Sequence, residues 1–182
     1  RGAAFVRQID KLPLPVKSAP GFLVNRVLAP YLMAAMRCVD EGIAPEVVDE
    51  AAVAFGMPMG PIELADTVGL DICLAVGRML GHEGAPPRKL AERVAAGQLG
   101  KKTGRGFYTW VDGKPQKQAA SAAPAELGRR LVDPLVAEAK AALAEGVVDD
   151  ADLVDAGAIF GAGFAPFRGG PLQYARTAPT AS

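Results

Sequence analysis

The sequence predicts an all-α protein: two copies of one helical unit packed pseudo-symmetrically, with one short β segment near residues 106–110. Three observations carry this. Apolar residues recur at three- and four-residue steps over most of the chain, the signature of one buried face on an α-helix. A segment near the start returns later, since Arg26 to Gly42 reads RVLAPYLMAAMRCVDEG and Arg130 to Gly146 reads RLVDPLVAEAKAALAEG. Only Gly106-Phe-Tyr-Thr-Trp110, followed by the turn pair Asp112-Gly113, has the composition of a late strand.

In chain order, Leu12 to Lys17 is apolar with prolines at 13 and 15, which suits a short extended edge segment. Ser18-Ala-Pro-Gly21 then breaks the chain. The next helix carries Val24, Val27, Leu28, Tyr31, Leu32, Ala35 and Val39 on one stripe and stops at Gly42. Pro30 lies inside it, removes one backbone donor and predicts a kink. Pro45 opens a helix that Gly56 ends, and Pro61 starts another after the Met57-to-Gly60 turn. Gly69 separates that helix from one over about 70–80, and a short helix over about 87–96 ends at Gly97. Residues 114–124 (KPQKQAASAAP) are polar and small with no periodicity, the composition of a linker.

Beyond the linker the first pattern repeats. Pro134 takes the place of Pro30, Leu153-Val-Asp155 matches Val47-Val-Asp49, and Gly170-Pro-Leu172 matches Gly60-Pro-Ile62. Matches kept in order at this spacing mark a duplicated unit. The expected boundaries are 1–18 as the end of a preceding domain, 19–113 and 125–182 as the two repeats, and 114–124 as the tether.

The 20 basic and 20 acidic side chains among 182 residues balance, so no broad field attracts nucleic acid or anionic membrane. No apolar run approaches the ~20 residues of a membrane-spanning helix. Cys38 and Cys73 both sit in apolar helical patterns, which argues against a disulfide framework or a metal site and suits a reducing, cytoplasmic compartment. The start, Arg-Gly-Ala-Ala-Phe, has neither an initiator Met nor the layout of a signal peptide and reads as a cut inside a longer protein. No Gly-x-Gly-x-x-Gly unit follows a strand, and the glycines of Phe160-Gly-Ala-Gly-Phe164 fall within the helical repeat.

Several polar residues have structural explanations. Ser18 suits a cap on the turn after it. Glu63 and Asp66 suit the electropositive start of their helix better than a catalytic carboxylate pair. His82, in Gly-His-Glu-Gly84, lacks the fixed partner that a general base requires. Phe107, Tyr108 and Trp110 read as core around the strand. Lys102, the lysine before Thr103, follows Lys101 rather than a glycine, and the next element is a strand rather than a helix, which excludes nucleoside-triphosphate binding there. Asn25, on its residue type alone, is a cap or a solvated amide.

The stretch Ser18-Ala-Pro-Gly-Phe-Leu-Val-Asn-Arg26 resembles the segment that opens the C-terminal domain of 3-hydroxyacyl-CoA dehydrogenases. Pro58-Met-Gly-Pro61 with Glu63 and Asp66, Val68-Gly-Leu-Asp71, and Gly100-Lys-Lys-Thr-Gly-Arg-Gly-Phe-Tyr108 are similar to later stretches of that domain, in the same order. Gly157-Ala-Ile-Phe-Gly-Ala-Gly-Phe-Ala-Pro-Phe-Arg-Gly-Gly-Pro171 resembles the multifunctional branch of fatty-acid-oxidation α-subunits, whereas Thr177 to Ser182 does not resemble the usual family tail.

The resemblance implies helical units like the C-terminal part of 6-phosphogluconate dehydrogenase. It also implies NAD-dependent oxidation of (S)-3-hydroxyacyl-CoA in fatty acid β-oxidation. The catalytic His and the NAD-binding domain are then expected N-terminal to these residues, so that the chain alone is expected to be inactive. Asn25 is implied beside that His, near the reacting carbonyl, where an amide can donate to the oxygen. Lys102 is implied near the NAD cofactor, with Lys101 solvated. The implied partners are the acyl-CoA substrate and, in a parent complex, a thiolase subunit. The competing reading is a non-catalytic helical scaffold or oligomerisation module, which has no use for Asn25 or the Gly-Lys-Lys-Thr-Gly turn.

Overall fold

The computed structural model describes residues 13–80 and 84–177. His82 and most of the segment expected to end a preceding domain lie outside the described residues. Eight helices occur among those described: α1 (Val24–Asp40), α2 (Pro45–Phe55), α3 (Pro61–Val68), α4 (Leu70–Met79), α5 (Arg88–Ala95), α6 (Leu127–Ala144), α7 (Ala151–Ala162) and α8 (Pro171–Thr177). Strands β1 (Thr109–Val111) and β2 (Lys114–Gln116) form one antiparallel hairpin.

The two long helices, α1 and α6, pack against each other more extensively than any other pair of elements. Val27, Tyr31 and Val39 from one and Leu131, Leu135 and Ala139 from the other are buried. At ~25 cal/mol per Å² of apolar surface removed from water, this seam is the main source of attraction between the repeats. Pro30 and Pro134 stand at equivalent positions, and neither breaks its helix.

The ion pairs across the seam are reciprocal. Arg26 reaches Glu145 at 2.7 Å, and Arg130 reaches Glu41. Arg26 and Glu41 of the first repeat correspond to Arg130 and Glu145 of the second. Residue i meeting j′ while i′ meets j is the mark of a two-fold contact. The start of each helix therefore meets the end of the other. The half-exposed Arg130–Glu41 pair contributes little to stability, so it specifies register while the apolar seam supplies most of the energy.

Both long helices also end alike. Ile43 N–H donates to Cys38 C=O and Val147 N–H to Ala142 C=O, each at a glycine with positive φ, Gly42 and Gly146.

Helices α3 and α5 start without side-chain caps of their own. Gly60 and Pro87 precede α3 and α5 and offer no acceptor to the unpaired N–H groups. Aspartates from other helices supply it. Asp49 on α2 accepts from Ile62 N–H and Glu63 N–H at 2.7 and 3.3 Å. Its counterpart Asp155 on α7 accepts from Leu172 and Gln173 at 2.7 and 3.1 Å. Asp40 does the same for Arg88 and Lys89. The approach requires glycine: a Cβ on Gly60 or Gly170 would sit 2.2 or 2.3 Å from the aspartate.

Two local expectations are corrected. The strand begins at Thr109 rather than Gly106, because Phe107 and Tyr108 give their N–H groups to the Asp66 carboxylate, each at 2.9 Å, instead of to a ladder. Its partner β2 comes from the first residues of the expected tether, joined through Asp112-Gly113 at φ 49° and 75°. Lys117 then pairs with Asp49 and Glu63, so 118–124, with one backbone N–H bond from Gln118 to Glu46, is what remains to connect the repeats. The expected edge segment, within 13–17, pairs in no sheet. Lys17 N–H donates to Val147 C=O, and Leu14 packs over Gly157 of α7.

Asp155→Ala leaves two helix-start donors without their acceptor and is expected to cost about 2–3 kcal/mol. Asp155→Asn keeps an oxygen and sheds a charge whose burial is unfavourable, since burial raises the pKa of this carboxyl. It should cost roughly half as much. Calorimetric melting of both variants tests the order, and equal losses would show that the charge matters more than the acceptor.

Candidate active-site cleft

The first turn of α1 is set by an unusual entry. Gly21 and Phe22 both take left-handed backbone angles, φ 74° and 49°, which is costly for a phenylalanine. Phe22 N–H closes the turn onto Ala19 C=O. The expected Ser18 cap is not made among the described residues, because the backbone supplies the bond instead. The turn sends Leu23 into the core and leaves Phe22 55% exposed.

Asn25 follows on that first turn. It is exposed, and its amide has no hydrogen-bond partner among the described residues. It borders a cleft of about 110 Å³ between α1 and α4. Leu28, Leu32 and Met33 continue the wall along α1 at helical spacing, while Val68, Ile72 and Cys73 form the facing side. Val68 and Ile72 are 38% and 47% exposed, so the mouth is apolar and open. One amide at the edge of an apolar cleft can orient a carbonyl or hydroxyl whose chain lies against the wall.

Cys73 is the one other polar group lining the cleft. Its thiol points to Ala65 C=O at 3.8 Å, and burial pushes its pKa up to about 12. It stays protonated near neutral pH and is no nucleophile.

Lys102 lies in the Lys101–Thr103 turn, between Gly100 and Gly104 at positive φ. Its ammonium contacts both oxygens of Asp71, at 2.6 and 2.7 Å, and this hydrogen bonding holds the Asp71 carboxyl below the usual range. A Cβ on Gly69 would lie 3.1 Å from the Lys102 nitrogen, which places the lysine over the α3–α4 junction, one residue from Val68 at the cleft mouth. Lys101, expected to be solvated, is exposed and lies over the Trp110 ring at 5.4 Å.

Asp66 departs from its expected role at a helix start. It is fully buried and accepts from Phe107 N–H, Tyr108 N–H and the Trp110 indole. It thereby fixes the Gly100–Tyr108 segment that carries Lys102. Glu63 pairs with Lys117 instead, so the two carboxylates form no acid–base pair. Asp49 went unrecognised in the sequence. Besides capping α3 it accepts from the Tyr108 hydroxyl at 2.8 Å and from Lys117. No group of three or more His, Cys, Asp or Glu that could hold a metal occurs among the described residues, and no described helix is long and apolar enough to cross a membrane.

A dinucleotide needs a cradle of backbone N–H groups for its pyrophosphate. At the cleft mouth the described residues offer the Lys102 ammonium, held by Asp71, and not the strand–turn–helix unit of such a cradle.

Comparison with known proteins places this geometry. Residues 21–110 match the family model described as 3-hydroxyacyl-CoA dehydrogenase, C-terminal domain. The fatty acid oxidation complex subunit alpha of Shewanella amazonensis is 36% identical over 96% of this chain, which spans only 27% of that relative's length. The crystal structure of 3-hydroxybutyryl-CoA dehydrogenase from Escherichia coli K12 superposes over 96% of this chain and 56% of that one, with a TM-score of 0.73 at 24% identity, a likeness of fold. The (S)-3-hydroxybutyryl-CoA dehydrogenase of Ralstonia eutropha shares 42% identity over 61% of this chain and 42% of its own, with a TM-score of 0.56.

The cleft thiol offers a check on this geometry. Iodoacetamide at pH 8 should leave Cys73 unmodified in the folded protein and label it fully after denaturation, as read by mass spectrometry. Equal labelling in both states would mean that the α1–α4 wall is open at Cys73.

Proposed function

We propose that this chain, which belongs to the 3-hydroxyacyl-CoA dehydrogenase family and carries that family's C-terminal domain over residues 21–110, forms the acyl-binding wall of an NAD-dependent (S)-3-hydroxyacyl-CoA dehydrogenase. The supporting observation is the exposed, unpartnered Asn25 amide on the rim of an otherwise apolar cleft.

The reaction removes a hydride from the carbon bearing the hydroxyl and a proton from its oxygen. The nicotinamide, when bound, takes the hydride, and a base outside these residues takes the proton. Asn25 donates its amide N–H to the substrate oxygen and holds the reacting carbon at the mouth of the cleft. A neutral donor already in place strengthens as charge redistributes on that oxygen, which favours the transition state over the ground state. Leu28, Leu32 and Ile72 hold the acyl chain and exclude water. Lys102 serves the cofactor at the rim, sharing its ammonium between Asp71 and a phosphate or ribose oxygen. The exchange is inexpensive because a half-exposed ion pair is weak.

The scaffold reading is less favoured by the geometry. The apolar stripes of the repeats are already satisfied by each other, and the partly exposed Val68 and Ile72 line the cleft.

In the full-length protein, Asn25→Ala should lower kcat 10- to 1000-fold, an order-of-magnitude range for one lost donor, with less change in KM. An unchanged kcat would return Asn25 to a solvated amide. Lys102→Ala should weaken NADH binding by about 1 kcal/mol while Lys101→Ala leaves it nearly unchanged. Calorimetric titration distinguishes them, and equal effects would remove Lys102 from the site.

A further inference from the structure

Next to the cleft, sharing Met33 with it, lies a second, smaller space of about 40 Å³, lined in part by Arg37, Gly77 and Pro87. Met33 lines both cavities. It is almost fully buried, and its sulfur occupies the room left by Gly77, where an added Cβ would meet it at 3.3 Å. On α1, Met33 stands eight residues after Asn25 and four before Arg37, between the two along the helix. Met33 lies about 12 Å along the helix from Asn25, two turns on.

We infer that the Met33 thioether is the floor of the acyl cleft and limits the length of acyl chain the protein accepts, an inference that rests on the reading of the cleft given above. The cleft is small, about 110 Å³, and Met33 is almost fully buried in its wall. A longer chain meets the thioether end-on. The adjoining space becomes useful only when Met33 no longer divides the two. Truncation to alanine withdraws Cγ, Sδ and Cε, merges the cavities and adds the volume of those three atoms. Gly77 belongs to the same device, because its bare backbone is what lets the sulfur seat between α1 and α4.

The test is the chain-length profile of the full-length protein, as kcat/KM for 3-hydroxybutyryl-CoA and 3-hydroxydodecanoyl-CoA. Calorimetric binding of butyryl-CoA and dodecanoyl-CoA supplies a readout free of turnover. A mismatch of a single methylene in an apolar pocket is worth about tenfold or more. Met33→Ala should therefore raise the dodecanoyl-to-butyryl ratio at least about tenfold in both assays. Met33→Val, which keeps an apolar side chain in the core but removes the thioether, should move the ratio the same way and covers a failure of the alanine variant to fold. An unchanged ratio in a folded variant whose parent oxidises 3-hydroxyacyl-CoA overturns the floor assignment and leaves the functional reading standing. A parent that oxidises neither substrate overturns the functional reading itself, and the floor assignment with it.

Discussion

Most of this fold depends on carboxylates, three of them buried, that reach from one element to satisfy the backbone of another. Asp49, Asp155 and Asp40 each close the N-terminus of a helix that they do not belong to, and Asp66 holds the backbone ahead of the hairpin. An unsatisfied buried N–H costs on the order of 1–3 kcal/mol, so each bond removes a penalty as well as adding an attraction. A local cap fixes only where a helix begins. These fix where a helix lies relative to the element that caps it. The paired glycines show how closely the parts fit, since neither Gly60 nor Gly170 leaves space for a methyl group.

The cleft inherits its geometry from this arrangement. Asp66 secures the segment bearing Lys102, and Asp49 secures both the start of α3 and the Tyr108 hydroxyl. Val68 and Gly69 end α3, so the rim of the cleft is positioned by two carboxylates that never touch it. Asn25 depends instead on the left-handed turn at Gly21 and Phe22. Two independent supports thus converge on one apolar space.

The helices were legible because their punctuation is strong. Pro45, Pro61, Gly56 and Gly69 mark ends that the structure keeps, and the repeated Arg-Pro-Glu-Gly pattern announced the pairing of α1 with α6. The hairpin was legible only in part. Periodicity cannot show that the Asp66 carboxylate outcompetes a ladder for two N–H groups, nor that Lys114 to Gln116 return to pair. The motifs around Asn25 and Lys102 could be located, but the cleft between them could not. Its walls come from helices some forty residues apart, and helical spacing says only that Met33 and Cys73 face inward. Asp49 and Asp155 did leave a signal, an aspartate after two apolar residues, repeated in both copies ahead of a Gly-Pro pair. An acid at an inward position calls for a buried partner.

The tether at 118–124 has a consequence for mass action. A two-fold seam between separate chains dissolves on dilution, and each subunit then exposes its apolar stripe. Joined in one chain, the seam between α1 and α6 has a strength that does not depend on protein concentration. Strict symmetry is also no longer imposed, because a change on one side is not copied onto the other. The position of Asn25 in the first repeat is held in the second by Arg129, beside Glu126 at 3.7 Å. A residue on one side of the seam can change while its counterpart stays in the surface that braces it.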